Sequence, residues 1–162
     1  MMVSVAARIS KLLARTVLAL FLLLIAVAGI EFIALKILGY PPVIRFVMHE
    51  LPFRGQSFDS QTWAEAGSCA GLSDWTCVEK ESSCPRGPMV HNLLRTHLLI
   101  GETTRETANA LLGAMEYEVD IRGRPCEAYS LGMCSGLGID YDALYVCYAE
   151  DGTISLTGHI QH

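Results

Sequence analysis

The chain has 162 residues, a formal net charge of −5 and 51% hydrophobic residues, with a mean hydropathy of +0.34. That average is too apolar for an ordinary soluble domain, and one stretch skews it: Val17 to Ile30 carries no charged or strongly polar side chain. Setting residues 1–44 aside leaves about 118, enough for one small domain, which excludes a multidomain enzyme, a polytopic transporter and a disordered tail.

Charge divides along the same line. Residues 1–44 hold Arg8, Lys11, Arg15 and Lys36 against Glu31 and are net +3, whereas the remainder is net −8. Residues 1–15 read as a basic cytoplasmic N-terminus, because basic residues flanking a span stay on the cytoplasmic side. Thr16 to Leu38 then reads as a transmembrane signal-anchor helix, 23 residues long and sufficient to cross a hydrocarbon core. Glu31 and Lys36 interrupt its far end, where both reach the interface by snorkelling. Tyr40-Pro41-Pro42 stops the helix. Ala26-Val27-Ala28 offers a competing signal-peptide cleavage site, but apolar sequence resumes at once from Ile30 to Leu38 and favours an uncleaved anchor. No cysteine follows at a lipid-attachment position. Gly29 and Glu31 are the candidate intramembrane contact, since a carboxylate inside a span is a functional suspect by default.

Residues 39–87 read as a linker and Cys-rich wrap. Pro52, Gly55, Ser57, Ser60 and Gly67 punctuate the first part, and Cys84-Pro85-Arg86-Gly87-Pro88 closes it. Trp63 and Trp75 fall in this irregular stretch and are candidate partner-binding residues, tryptophan being favoured at interface centres. Cys69, Cys77, Cys84, Cys126, Cys134 and Cys147 all lie beyond the apolar segment. An even number in a small exported domain reads as a disulfide framework with 15 connectivities open. Their grouping, three early and three late, predicts at least one bridge from the wrap to the later sheet. No C-x-x-C pair is present, which disfavours a redox site or a zinc site.

Residues 88–162 are the most regular. Pro88 opens a helix in which Met89, Val90, Leu93, Leu94 and Leu98 recur at helical spacing, with Gly101 as its end. Thr103-Thr104-Arg105-Glu106 reads as a capping box with Thr103 as the cap, opening a second helix that carries Ala108, Leu111 and Leu112 and stops at Gly113. Period-two alternation marks strands at Cys126–Gly132, Ala143–Ala149 and Ile154–Ile160, the last two joined by a tight turn at Asp151-Gly152. The expected fold is therefore α+β: two short helices packed on a three-stranded antiparallel meander. Leu144, Val146 and Tyr148 share one face, and Tyr145 with Tyr129 is expected to offer an aromatic surface on a face without helices.

Groups for catalysis do not converge in this pattern. His91 and His97 are six residues apart, about 600° of helical rotation, and point to opposed faces. His159 and His162 sit at a terminus read as frayed. Glu116, Glu118 and Asp120 read as a solvated loop or edge strand, and Asp140 and Asp142 lack the spacing of a calcium loop. Ser135-Gly136-Leu137-Gly138 has no lysine and opens no helix, so it is no phosphate loop. No catalytic residue, cofactor or metal is expected.

The run Leu98-Leu99-Ile100-Gly101-Glu102-Thr103-Thr104-Arg105-Glu106, followed by Leu111-Leu112-Gly113, resembles the signature of the SmpA/OmlA (BamE-like) domain. Tyr129-Ser130-Leu131-Gly132, Leu144 to Tyr148 and Asp151-Gly152-Thr153-Ile154 are similar to its sheet. The resemblance covers about residues 89–161. Glu102 stands where the family has Met and Met115 where Pro is common, and the family's lipid-anchor cysteine is absent. The resemblance implies a protein-binding or scaffold role on a fold shared with the β-lactamase inhibitory protein. It does not extend to outer-membrane barrel assembly, because an inner-membrane anchor holds the domain at the other side of the periplasm. The sequence thus predicts a non-enzymatic, single-pass protein of a bacterial inner membrane, its C-terminal domain in the periplasm. An envelope or membrane protein is its expected partner, as for an accessory subunit of a membrane complex. An acidic domain without a basic stripe argues against nucleic acid. The alternative reading is a thiol/disulfide-active or small-ligand-binding periplasmic protein.

Overall fold

The structure, a computed structural model, describes residues 2–162, with side chains from Leu12 onward except that of Leu38. The chain divides into two compact units, Met1–Arg45 and Phe46–His162.

Helix α1, Met2–Leu38, fills most of the first unit. Its apolar stretch Leu12–Ile37 has 26 residues with a mean hydropathy of 2.8, none of the most apolar window being buried within the protein. At 1.5 Å per residue that stretch is about 39 Å long, more than a hydrocarbon core of roughly 30 Å requires. The helix begins well before Thr16, because alanine, leucine, lysine and arginine propagate a helix regardless of whether lipid or water surrounds it. It ends at Gly39, whose amide donates to the Leu35 carbonyl at 3.1 Å. The last residue of α1 is thus Leu38, as expected, before the two prolines that cannot continue it, and they lead into α2, Pro42–His49, Pro42 having no amide to satisfy in a first turn. Val43 is the first residue after them able to donate, and its N–H meets Glu31 Oε1 at 2.6 Å.

The second unit is built on a four-stranded antiparallel sheet in the order β1 (Tyr117–Asp120), β2 (Pro125–Gly132), β3 (Asp142–Tyr148) and β4 (Ile154–Gln161). One more strand is present than the three expected. β1 reads Tyr-Glu-Val-Asp, and its charged residues disguise a mostly exposed edge strand in which only Val119 is partly buried. Its hairpin to β2 turns on Arg122 and Gly123, both at positive φ, with Ile121 and Arg124 exchanging backbone hydrogen bonds. Arginine is a poor sequence signal for that turn. The β3–β4 turn does fall at Asp151-Gly152, but only Gly152 has positive φ, and Asp151 accepts the Thr153 amide at 2.9 Å.

Four short helices besides α2 accompany the sheet: α3 (Ser60–Gly67), α4 (Asp74–Ser82), α5 (Val90–Thr96) and α6 (Arg105–Leu112). The first two occupy the region expected to be an irregular wrap. Each is held by a side-chain cap, Asp59 accepting from Thr62 N and Ser73 from Thr76 N. α5 stops at Thr96, earlier than Gly101, because residues 97–104 are spent on the sheet: Gly101 N donates to Ile154 O and Ile154 N to Thr103 O. The cap of α6 is Thr104, not Thr103. Thr103 instead accepts from Leu99 N and donates to His97 O, which braces the loop.

α3, α5 and α6 cover one sheet face, where Trp63, Met89, Val90, Leu93, Ala108, Leu112, Tyr129, Leu131, Leu144, Val146 and Ile154 form the main core. The opposite face holds a smaller cluster of Ile121, Cys126 and Cys147, flanked by Val119, Tyr145, Leu156 and Ile160. All six cysteines stand in pairs, Cys69–Cys77, Cys84–Cys134 and Cys126–Cys147. The first closes a local loop, the second spans 50 residues from the wrap to the β2–β3 loop, and the third joins opposed positions of β2 and β3.

Candidate functional site

Of the four aromatic residues singled out in the sequence, Trp75 presents its ring to solvent. It lies in the first turn of α4 and is 78% exposed, with Leu72 and Val78 also exposed beside it. The platform is firmly held despite lying outside the core. Cys69–Cys77 ties the loop to the helix, Cys77 N donates to Ser73 O, and Lys80 Nζ donates to Glu65 O at 2.6 Å and Ser68 O at 2.8 Å. An apolar patch on a fixed helix with Asp74 and Glu79 at its margin suits an apolar pocket with a basic rim.

Trp63 is not a surface residue. It is fully buried, and Arg86 lies over its ring at 4.6 Å. Arg86 is itself buried; its Nε donates to Trp63 O, and its Nη1 donates to Glu116 and to Ser130 O. Glu116 accepts from Ser130 N as well, so it joins this node while remaining exposed to solvent. Nothing in the sequence distinguishes Arg86 from a turn residue, since all three of its hydrogen-bond partners are distant in the chain. A cavity of about 30 Å³ opens beside it, room for water but far below a drug-sized ligand site.

Tyr129 is also fully buried, and it lies on the face opposite Tyr145. The register decides this: Tyr129 pairs with Leu144, so the two share the helix-covered side, while Tyr145 pairs with Ala128. Tyr145 is half-buried and lies over Gly158, where a Cβ would meet its hydroxyl at 2.8 Å. Tyr129 and Tyr148 both donate toward Glu127 Oε2, at 3.4 and 3.2 Å, and Arg105 Nε approaches Oε1 at 3.4 Å. Burial, and then the Glu127 charge, pushes both tyrosine hydroxyls well above their ordinary pKa, keeping them protonated as donors to one carboxylate.

Other candidate groups are likewise occupied. Asp142 is buried and accepts from Cys134 N, Ser135 N and Ser135 Oγ, which fixes the β2–β3 loop. His159 lies within β4, paired with Leu144, and stacks on Phe53 at 3.9 Å; its strand is not frayed. Burial lowers its pKa below the ordinary histidine value. Cys69, Cys77 and Glu81 have ligand atoms within 4.8 Å of one another, but both sulfurs are consumed in a disulfide, which leaves no thiolate for a metal. In the first unit, Gly29 has open space around it. Glu31 spends Oε1 on the α2 amide while its Oε2 is buried without a partner.

No family model matches the chain, and neither does any curated protein or solved structure.

Proposed function

We propose that this chain is a non-enzymatic, single-span envelope protein, N-terminus inside, whose exported disulfide-bonded domain binds a protein partner through the Trp75 patch. The carrying observation is the exposure of Trp75, with Leu72 and Val78, on a helix fixed by a disulfide and a lysine clamp. A folded domain gains nothing by displaying an indole to water on so rigid a support, whereas interfaces place tryptophan at their centre. Three disulfides suit an oxidising compartment outside the cytosol, and α1 is long and apolar enough to cross the membrane. The basic residues before the span favour the same orientation. A bacterial inner membrane with a periplasmic domain is the setting that fits this reading. The SmpA/OmlA-like motifs between residues 89 and 161 are in keeping with such a scaffold role. Anchoring supports binding by confining the domain and raising its effective concentration toward other membrane proteins.

The test is capture of the tagged full-length protein from crosslinked native membranes, comparing wild type with Trp75→Ala. A hot-spot loss of about 2 kcal/mol lowers partner recovery roughly thirtyfold, while the thermal midpoint stays within a degree or two. Equal recovery of the same partner by both proteins would remove Trp75 from the interface. Capture of no partner by the folded wild type would overturn the binding reading itself.

A further inference from the structure

A second set of exposed apolar residues lies around α2, the first helix after the span in the chain. α2 is amphipathic: Val43, Ile44, Phe46 and Val47 are exposed apolar residues on one side, while Arg45 and His49, four residues apart, share the other. Gly136 N donates to Met48 O at 2.9 Å, which brings the β2–β3 loop to the end of this helix. The next residues of that loop, Leu137 and Ile139, are 79% and 69% exposed. Gly136 and Gly138 both have φ of +65°, so the backbone on either side of Leu137 takes a turn that L side chains rarely adopt. The loop base is locked by the three hydrogen bonds to Asp142 and by Cys84–Cys134. Two aliphatic side chains are thus held out on a rigid tip.

We infer that the second unit's own exposed apolar residues, Phe46 and Val47 at the end of α2 and Leu137 and Ile139 at this loop tip, form a lipid-contacting foot in the headgroup region of a membrane leaflet. The inference stands on the single-span reading of α1. Only Gly39, Tyr40 and Pro41 separate α1 from α2, a reach of about 10 Å, and Glu31 binds the first free amide of α2 from within the apolar helix. The start of α2 therefore cannot leave the interface. Its chemistry matches that layer: Arg45 lies over the Tyr40 ring at 4.8 Å and Arg54 over the Phe46 ring at 5.4 Å. Such arginine–aromatic pairs place a cation among phosphates and a ring among glycerol and upper acyl carbons. Glu50 and Asp140 flank the same surface and keep the contact shallow.

The test uses the full-length protein in phosphatidylethanolamine/phosphatidylglycerol liposomes, with lipids brominated high on the acyl chain as fluorescence quenchers. Trp75→Phe removes the exposed native indole, and Leu137→Trp or, separately, Ile139→Trp reports the loop tip. Phe32→Trp reports the span. The inference expects a roughly twofold loss of emission from the loop reporters in brominated lipid, alongside quenching of the span reporter. Quenching of the span reporter alone would overturn the foot and leave the span standing. Quenching of neither would remove the span reading and the foot with it. A loop reporter that shifts to the blue with rising protein-to-lipid ratio, without bromine quenching, would show a second copy on this surface and overturn the lipid assignment.

Discussion

Trp63 and Trp75 stand twelve residues apart on α3 and α4, helices of eight and nine residues. Each helix is closed by a side-chain cap, and each carries one indole among mostly polar neighbours. Their fates are opposite. Trp63 is fully buried under α3, beneath the Arg86 guanidinium, whereas Trp75 stands in solvent on a disulfide-closed loop. Local sequence is nearly equivalent in the two helices, so what differs is what each packs against. α3 meets α6 and the main core, while α4 meets the end of β2 through Gly132, which leaves the far side of α4 open. The same residue type therefore serves stability in one place and is free for recognition in the other.

The contrast can be broken most directly at Trp63. Trp63→Ala removes a fully buried ring and the stacking surface of Arg86, and the expected loss is about 4 kcal/mol of unfolding free energy by urea titration. Trp63→Phe should cost clearly less, because it also removes an indole N–H that is buried without an acceptor. The Trp75→Ala variant stays within about 0.5 kcal/mol of wild type. Equal losses at the two sites would end the distinction between core and recognition helix.

A smaller effect sharpens the same comparison. Cys69 and Cys77 are eight residues apart, and replacing both by serine removes a short loop closure, with an upper bound of roughly 2.5 kcal/mol on chain entropy. Only α4 and its loop depend on that bridge, so the global unfolding transition should change little. Amide exchange in residues 70–80 should accelerate, and partner capture through Trp75 should fall. A large drop in global stability would mean that α4 belongs to the cooperative core after all.

The smallest expected effect is a pH dependence on the core side. His159 has a pKa below that of a free histidine because of burial against Phe53, with Glu50 and Asp142 opposing the shift and His49 adding to it. The unfolded chain then binds the proton more readily, so stability is complete above the unfolded value near 6.5 and is lost as pH falls through it. Urea midpoints measured between pH 8 and 5 should decline in wild type and decline less in His159→Phe. Both proteins showing the same slope would assign the decline to other groups.

The motifs that depend on neighbours in the chain were readable in advance. The apolar run predicts α1, alternation predicts β2 to β4, Pro88 and Gly113 bracket the two helices, and the split grouping of cysteines anticipates a link such as Cys84–Cys134. The cap of α6 is found one residue late, at Thr104, because Thr103 is taken by the loop that joins β4. β1, α3 and α4 escape the pattern because their polar residues dilute the period from which a short element is recognised. Arg86 and Glu116 escape it for a different reason, as they are thirty residues apart and their meeting has no local signature.

Period, charge asymmetry and cysteine count were enough to define an apolar helix with a basic leader, an α+β domain and a disulfide frame, since each is set by composition or by spacing along the chain. Tertiary structure alone decided which tryptophan is buried, that Tyr129 and Tyr145 lie on opposite sheet faces, and that Leu137 and Ile139 project beside α2. Those outcomes follow from strand register and from contacts between residues far apart in sequence, where shifting a pairing by one residue moves every side chain to the other face.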